Sequence, residues 1–192
     1  MRSSHFRSIA ALLVALGLTA CGGKASFTIN GTISGLLYPG LVLANGSDTV
    51  APAVNATTFT FPNQIDYGTE YNIVAQTQPT HMTCAVTAGT GSAGHTATIA
   101  AHVTCAVNTF ALGGSISGLT AGGLELANGS VPATVLPVSG ATTFAFANVA
   151  FGQAYGVTVL TQPAGLVCSV ANGTGTMGDA AIANIAISCQ PA

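Results

Sequence analysis

Short segments in which apolar and polar residues alternate recur along the chain from residue 27 onwards. Alternation with a period of two places successive side chains on opposite faces of a β-strand. Pairs such as Asn-Gly, Ser-Gly, Pro-Gly and Tyr-Gly separate the segments and are typical of turns. In the first half of the chain the pattern predicts strands at 27–34, 40–44, 49–54, 57–61, 70–76, 82–86 and 96–107. After the N-terminal leader nothing has the period of an amphipathic helix, so we predict an all-β chain.

The second half of the chain restates the first. GLVLANGS at 40–47 returns as GLELANGS at 123–130, ATTFTF as ATTFAF, and YGTEYNIVAQTQP at 67–79 as FGQAYGVTVLTQP at 151–163. Strands at this spacing are typical of a β-sandwich, so we predict two tandem sandwich domains, 27–108 and 109–192, with almost no linker. The predicted core anchors occupy matching positions in the two domains: Phe59, Phe61, Tyr71 and Ile73 in the first, and Phe144, Phe146, Tyr155 and Val157 in the second.

The N-terminus has the layout of a signal peptide, with two arginines in MRSSHFR followed by the apolar run SIAALLVALGLTA. The run is shorter than the roughly 20 apolar residues that a spanning helix needs. The LTAC motif at 18–21 resembles the lipobox of bacterial lipoproteins. That resemblance implies a signal peptide over 1–20, acylation (palmitate) of Cys21, and a tether over 21–26. Because Gly22 stands where inner-membrane lipoproteins commonly have Asp, it also implies the outer membrane.

The cysteines predict two disulfides. If Cys21 carries lipid, the other four form two pairs with the same separation, Cys84 with Cys105 and Cys168 with Cys189. Equal spacing in the two repeats favours one bridge within each domain, although four cysteines allow three connectivities. By side-chain parity Cys84 and Cys105 both lie on the apolar faces of their strands. Disulfides indicate an oxidising compartment outside the cytoplasm, and no zinc-type spacing is present.

Charge excludes some partners. Only 4% of the residues are charged, against about 25% in ordinary soluble domains. After cleavage before Cys21 a single basic residue, Lys24, would remain beside five acids. Nucleic acid binding and a polybasic grip on anionic lipids both need clusters of Lys and Arg. We therefore expect no nucleic-acid partner and a membrane contact only through the N-terminal lipid.

One motif suggests a nucleotide site that the rest of the sequence contradicts. GTGSAG at 89–94 matches the G-x-G-x-x-G fingerprint of dinucleotide-binding loops, and GTGTMG at 173–178 repeats it. A genuine fingerprint opens a helix and is followed by an acidic residue about 20 positions later. Here strand-like segments follow, and no acid lies in range after Gly94. We predict that both runs are hairpin connections, with no nucleotide and no other cofactor.

Candidate chemistry is sparse and lies in the first domain. His81, His95 and His102 have Gly165, Asp179 and Ala186 as their counterparts in the second domain. His81 and His95 flank the cysteine-containing strands, and their approach would give a two-histidine cluster, which is weak support for a metal. Loop positions are the alternative, and we predict no metal site.

No motif for a catalytic nucleophile, a phosphate loop or a zinc protease is present. Asn45-Gly46-Ser47-Asp48 looks like a calcium loop only superficially, and a turn is the better interpretation because the repeat lacks the acid.

The order I-x-G-x-I-S-G-L, G-L-V-L, F-T-F and Y-G-x-x-Y-x-I resembles the immunoglobulin-like or transthyretin-like modules of bacterial surface proteins. This resemblance implies a fold and a location, not a reaction. Our first hypothesis is a non-catalytic binding or adhesion module for a protein or glycan partner, with residues unique to one domain (Tyr38, His81 and His95) as the candidate site. The alternative is a structural spacer without its own ligand, and an enzyme is the least supported class.

Overall fold

The computed structural model describes residues 25–96, 98–129 and 131–192, and of residues 131–133 it describes the backbone only. The predicted signal peptide, Cys21 and most of the tether therefore lie outside the described residues. Within those residues all regular structure is β-strand. No helix in this part of the chain is long and apolar enough to cross a membrane.

The first unit consists of the strands up to Val107. They are β1 (Ser26–Ser34), β2 (Val42–Asn45), β3 (Asp48–Val50), β4 (Thr58–Asp66), β5 (Glu70–Thr77), β6 (Met82–Thr87), β7 (Thr90–Ser92) and β8 (Ile99–Val107).

The second unit repeats this series after a single intervening residue, Asn108. Its strands are β9 (Thr109–Ser117), β10 (Glu125–Asn128), β11 (Val131–Val135), β12 (Thr143–Ala150), β13 (Ala154–Thr161), β14 (Leu166–Ala171), β15 (Thr174–Thr176) and β16 (Ile182–Pro191).

Each unit is a sandwich of two four-stranded sheets. In the first unit the orders are β4-β1-β8-β6 and β3-β2-β5-β7, and in the second β12-β9-β16-β14 and β11-β10-β13-β15. The first strand of each unit lies beside the last and runs parallel to it, while the other pairs are antiparallel. This arrangement differs from the ABED and CFG sheets of immunoglobulin constant domains. The predicted class, all-β with two tandem sandwiches, is confirmed for the described residues.

Each unit has its own apolar core between its two sheets. Strand β8 shows how the sequence builds it, because buried and exposed residues alternate from Ile99 to Cys105. Phe59, Phe61 and Ile73 are buried as predicted, and so are their counterparts Phe144, Phe146 and Val157. Tyr71 and Tyr155 are only partly buried and pack against the edges of the two cores.

The glycine runs connect the antiparallel pairs β6–β8 and β14–β16, as a hairpin connection does, but each run also contains a short strand that was not predicted. Thr90–Ser92 and Thr174–Thr176 are short strands that pair with β5 and β13 in the opposite sheet. The chain therefore leaves one sheet after β6, crosses to the other for β7, and returns for β8. The two largest differences in strand bounds are that β3 ends at Val50 rather than at residue 54 and that β4 continues to Asp66 rather than ending at residue 61.

Close approach between strands explains the G-x-G pattern. A Cβ on Gly89 would lie 2.8 Å from the Ile73 carbonyl oxygen, and one on Gly91 would lie 2.6 Å from the Tyr71 hydroxyl oxygen. The second unit shows the same contacts, with Gly173 against Val157. The glycines allow β7 and β15 to lie directly on the neighbouring strand, a packing reason for a motif that elsewhere binds phosphate.

The disulfides and two glutamines secure the strands at one edge of each sandwich. Cys84 is bonded to Cys105 with Cα atoms 4.0 Å apart, and Cys168 to Cys189 with Cα atoms 3.9 Å apart. Such short distances are typical of the non-hydrogen-bonded pairs of an antiparallel ladder. The backbone groups of Cys84 therefore point away from β8, and the Gln78 amide bonds both, accepting from the N–H at 2.7 Å and donating to the carbonyl at 3.1 Å.

Gln162 does the same for Cys168. These side chains occupy edge groups that would otherwise be available to pair with another strand. Each bridge also closes a loop worth about 3 kcal/mol in the chain-entropy description.

We expect Gly173→Ala to lower the free energy of unfolding by about 1 to 3 kcal/mol through overpacking. The new Cβ would lie 2.6 Å from the Val157 carbonyl oxygen and 2.8 Å from Val170 Cγ1. Gly178→Ala is the matched control in the same motif, since a Cβ there has no neighbour within 4 Å, and we expect a change within about 0.5 kcal/mol. Urea unfolding followed by circular dichroism measures both, and equal effects would contradict the packing explanation.

Candidate functional site

The two units meet at a cluster of three rings. The His81 imidazole of the first unit stacks on the Phe151 ring of the second, with centroids 3.7 Å apart and planes 4° from parallel. Tyr38 meets both rings edge-on, at centroid distances of 5.3 Å to His81 and 5.9 Å to Phe151. Stacked and edge-on pairs contribute about 0.5 to 1.5 kcal/mol beyond the area they bury. We call Tyr38, His81, Phe151 and Asp179 the joint.

Asp179 holds the outer side of the joint. Its carboxylate oxygens lie 2.8 and 2.9 Å from His81 Nδ1, so the ring donates its Nδ1 proton to the carboxylate. The two side chains are 31% and 53% exposed. Exposed ion pairs contribute about 1 kcal/mol or less. The hydrogen bond therefore orients the imidazole, while most of the contact energy comes from the rings.

The single residue between the units is bonded to both of them. The Asn108 N–H donates to the His81 carbonyl at 2.9 Å, and its side-chain oxygen accepts from the Thr83 hydroxyl at 2.7 Å. Its own carbonyl accepts from the Phe151 N–H at 2.9 Å. The connection between β8 and β9 is thus a fixed element of the joint.

The backbone of His81 has a conformation that glycine adopts more readily than other residues. His81 has φ 60°, in the left-handed region, and the second unit has Gly165 with φ 69° at the same turn. Glycine adopts this conformation freely, whereas other residues are strained there. The first unit accepts that strain at the position where an imidazole reaches the second unit.

The units differ where they touch. Tyr38 and His81 correspond to Ala121 and Gly165 in the second unit, so the rings that reach across belong to the first unit alone. Two residues of our candidate site, Tyr38 and His81, therefore lie in an internal contact between the repeats. The repeat comparison did not point to their partner Phe151, because its counterpart Tyr67 is also aromatic.

His95 lies away from the joint. His81 adjoins Asn108 at the end of β8, whereas His95 precedes the first residue of β8, Ile99. A strand of this length extends about 27 Å, so His81 and His95 do not approach each other, and both occupy loop positions, which was the alternative interpretation. His102, on the exposed face of β8, bonds Thr32 Oγ1 through Nδ1 at 2.9 Å. Among the described residues no group of three or more His, Cys, Asp or Glu side chains could hold a metal ion.

The remaining predicted positions have simple structural roles. Asn45 and Asp48 pair across a tight hairpin turn at Gly46, and Asp48 accepts a hydrogen bond from the Asn63 amide at 2.9 Å. The turn interpretation is therefore confirmed. Cys21 lies outside the described residues, so its acylation stays a prediction.

Open grooves occur at the same place in both units, along the seam beside the disulfides. One of about 590 Å³ is lined by residues including Gln162 and Cys168, and its counterpart of about 420 Å³ includes Gln78 and Cys84. The glutamine amides already bond the cysteine backbones. These polar groups are thus committed to the fold and are poorly placed to hold a ligand.

A second difference between the repeats lies on the surface of the second unit. Leu136, Val138 and Leu160 are 68%, 74% and 61% exposed. The strand registers align them with Ala51, Ala53 and Gln76 of the first unit. We call Leu136, Val138 and Leu160 the apolar patch. Only the second unit carries large apolar side chains at these three positions.

Comparison with known proteins adds little to this description. The sequence matches no protein-family model and no curated protein. Among solved structures the chain is similar to the major pilin protein T-13 of Streptococcus pyogenes serotype GAS131465, with 9% identity, a TM-score of 0.29, and coverage of 88% of this chain and 98% of the pilin chain. A likeness at this level carries no information on function.

We expect Phe151→Ala to let the two units reorient independently, because it removes the ring on which His81 stacks. Tyr67→Ala is the matched control, since Tyr67 is the counterpart of Phe151 in the first unit and lies outside the joint. Nitrogen-15 relaxation should give one shared correlation time for the wild type and for Tyr67→Ala, and shorter, separate values for Phe151→Ala. If Phe151→Ala tumbles like the wild type, the Asn108 connection alone fixes the units.

Proposed function

We propose that this chain is an exported, lipid-anchored, non-catalytic protein of the cell envelope, in which the first unit is a spacer that holds the second in a fixed orientation. The observation that carries this proposal is the joint. A flexible tether would need only a polar linker, whereas here one bonded residue and three packed rings connect the units. Tyr38 and His81, which the second unit lacks, serve to fix that orientation.

Export and anchoring rest on two independent features. Disulfides persist in oxidising compartments, and each unit contains one. The LTAC motif follows a basic and apolar leader in the order expected of a lipoprotein signal. By resemblance the anchor would lie in the outer membrane, because Gly22 rather than Asp follows the acylated cysteine.

The apolar patch favours a second candidate function, in which the second unit binds a partner. Large apolar side chains that are exposed in one unit and absent from its repeat are candidates for an interaction site. Leucine and valine side chains offer no hydrogen-bonding groups, so the partner would be an apolar protein surface rather than a glycan. In this version the first unit remains a spacer, and the second unit presents the patch away from the membrane.

We expect Cys21→Ser to move the protein from the membrane fraction to the soluble fraction of the cell envelope, because the acyl chains are the proposed attachment. The double variant Cys84→Ser with Cys105→Ser is the control, because it removes cysteines but keeps Cys21, and it should stay with the membrane. Fractionation and mass spectrometry of the N-terminal peptide measure the outcome. A wild-type protein that is soluble, or a Cys21→Ser variant that stays with the membrane, would contradict the anchor.

We expect Leu136→Ala with Val138→Ala and Leu160→Gln to abolish capture of a protein partner from envelope extracts, if the second unit binds one. These substitutions install the residues of the first unit, which folds with them, and exposed positions should change the free energy of unfolding by only about 0.5 kcal/mol each. Pull-down with wild type and variant tests the idea, with the mirror variant Ala51→Leu, Ala53→Val as a control for nonspecific adhesion. Equal capture by wild type and variant would leave the spacer as the better proposal.

A further inference from the structure

The corresponding ends of the two units are built alike but are covered differently. The Phe151 N–H donates to the Asn108 carbonyl, and in the same way the Tyr67 N–H donates to the Ala25 carbonyl at 2.9 Å. Gly152 and Gly68 then make matching bonds to Met177 and Ala93. In the second unit this end is covered by Tyr38 and His81. In the first unit the same surface ends in Tyr67, which is 65% exposed.

The Tyr67 ring is supported from within the unit. A Cβ on Gly94 would overlap Tyr67 Cδ2 and Cε2, so the ring packs closely against the Gly94 backbone. The Phe27 ring packs beside it with centroids 6.4 Å apart. The ring is therefore held in place by its inner contacts while most of its surface is open to the surroundings.

The chain changes residue type between the covered and the exposed position. Under His81 it has Phe151, whose ring has no polar atom, and at the exposed end it has Tyr67, whose ring carries a hydroxyl. Tyrosine combines an apolar body with a polar tip and suits a boundary between water and an apolar phase.

The position of this end in the chain identifies what would cover it. Ala25, which bonds Tyr67, follows Cys21 by four residues, a reach of about 14 Å when fully extended. An acylated Cys21 has its chains in the bilayer, so the Tyr67 end would lie at the level of the headgroups. Tyrosine is enriched at that level in membrane proteins.

We infer that the Tyr67 end of the first unit is a membrane-contact surface that seats the first sandwich on the lipid headgroups. This inference rests on the proposed lipid anchor. Glu70 follows Tyr67 by three residues, and anionic lipids would repel its carboxylate, so the surface fits zwitterionic lipids. In this arrangement the membrane covers the Tyr67 end of the first unit, as Tyr38 and His81 cover the Phe151 end of the second.

The sequence offers a specific probe, since the chain contains no tryptophan. The lipidated mature protein with Tyr67→Trp is reconstituted into phosphatidylcholine vesicles, with and without lipids brominated close to the headgroup. We expect a blue shift of the emission on reconstitution and a loss of fluorescence with brominated lipid. Val167→Trp, which places the probe at an exposed position of the second unit outside the apolar patch, should show neither change.

The possible outcomes distinguish a failure of the Tyr67 membrane contact from a failure of the lipid anchor at Cys21. If neither the wild type nor the Tyr67→Trp variant floats with vesicles, the anchor fails and the contact falls with it. If the Tyr67→Trp variant floats and its fluorescence is not quenched, the anchor stands and the contact is overturned. A blue shift that depends on protein concentration and ignores brominated lipid would assign the surface to a second copy of the chain and also overturn it.

A measurement on the unsubstituted tyrosine keeps the inference testable if Tyr67→Trp does not fold. Nitration of tyrosines, located by mass spectrometry, should modify Tyr67 in the soluble Cys21→Ser protein and spare it in vesicle-bound wild type. Tyr38, which is packed in the joint, should react equally in both samples and serves as the internal reference. Equal nitration of Tyr67 in both samples would overturn the contact.

Discussion

The parallel pairing of the first and last strands of each unit determines how the two units are connected. Because β1 lies beside β8 and runs in the same direction, the chain enters the sandwich at one end and leaves it at the other. The second unit repeats the arrangement with β9 and β16. With only Asn108 between β8 and β9, the exit end of one sandwich must meet the entry end of the next. The joint occupies the place where this topology brings two surfaces together.

The glycines and the disulfides of each unit have opposite effects on its stability. Glycines at 89, 91, 173 and 175 let short strands lie directly on their neighbours, but small side chains bury little apolar surface and so contribute little to stability. A disulfide in each unit, beside the same seam, limits the freedom of the unfolded chain and offsets part of that deficit. Gln78 and Gln162 complete the arrangement by occupying the backbone groups that the bridged strands expose at the sheet edge.

The sequence predicted the elements that depend on local periodicity and on the repeat. Alternation in β8 and the phenylalanines at 59 and 61 marked the core correctly, because burial follows the pleat of a strand. It did not predict β7, since a three-residue strand is too short to show a period and its glycines resemble a turn. Nor did it predict the joint. The repeat alignment showed Asp179 as the counterpart of His95. Its contact with His81 depends on how the two units are placed relative to each other, which local sequence does not determine.

Comparing the two units therefore separates residues that serve the shared fold from residues that make a contact in one unit only. Where both units keep a residue, as at the G-x-G pairs and the bridged cysteines, it serves the fold that they share. Where they differ at the joint, the difference reflects the contact between the units. His81 illustrates this most clearly, because a left-handed backbone position that is Gly165 in the second unit carries an imidazole in the first, where it stacks on Phe151. By the same reasoning we propose Tyr67, Leu136, Val138 and Leu160, which differ between the units and remain exposed, as the positions at which this protein meets a membrane or a partner.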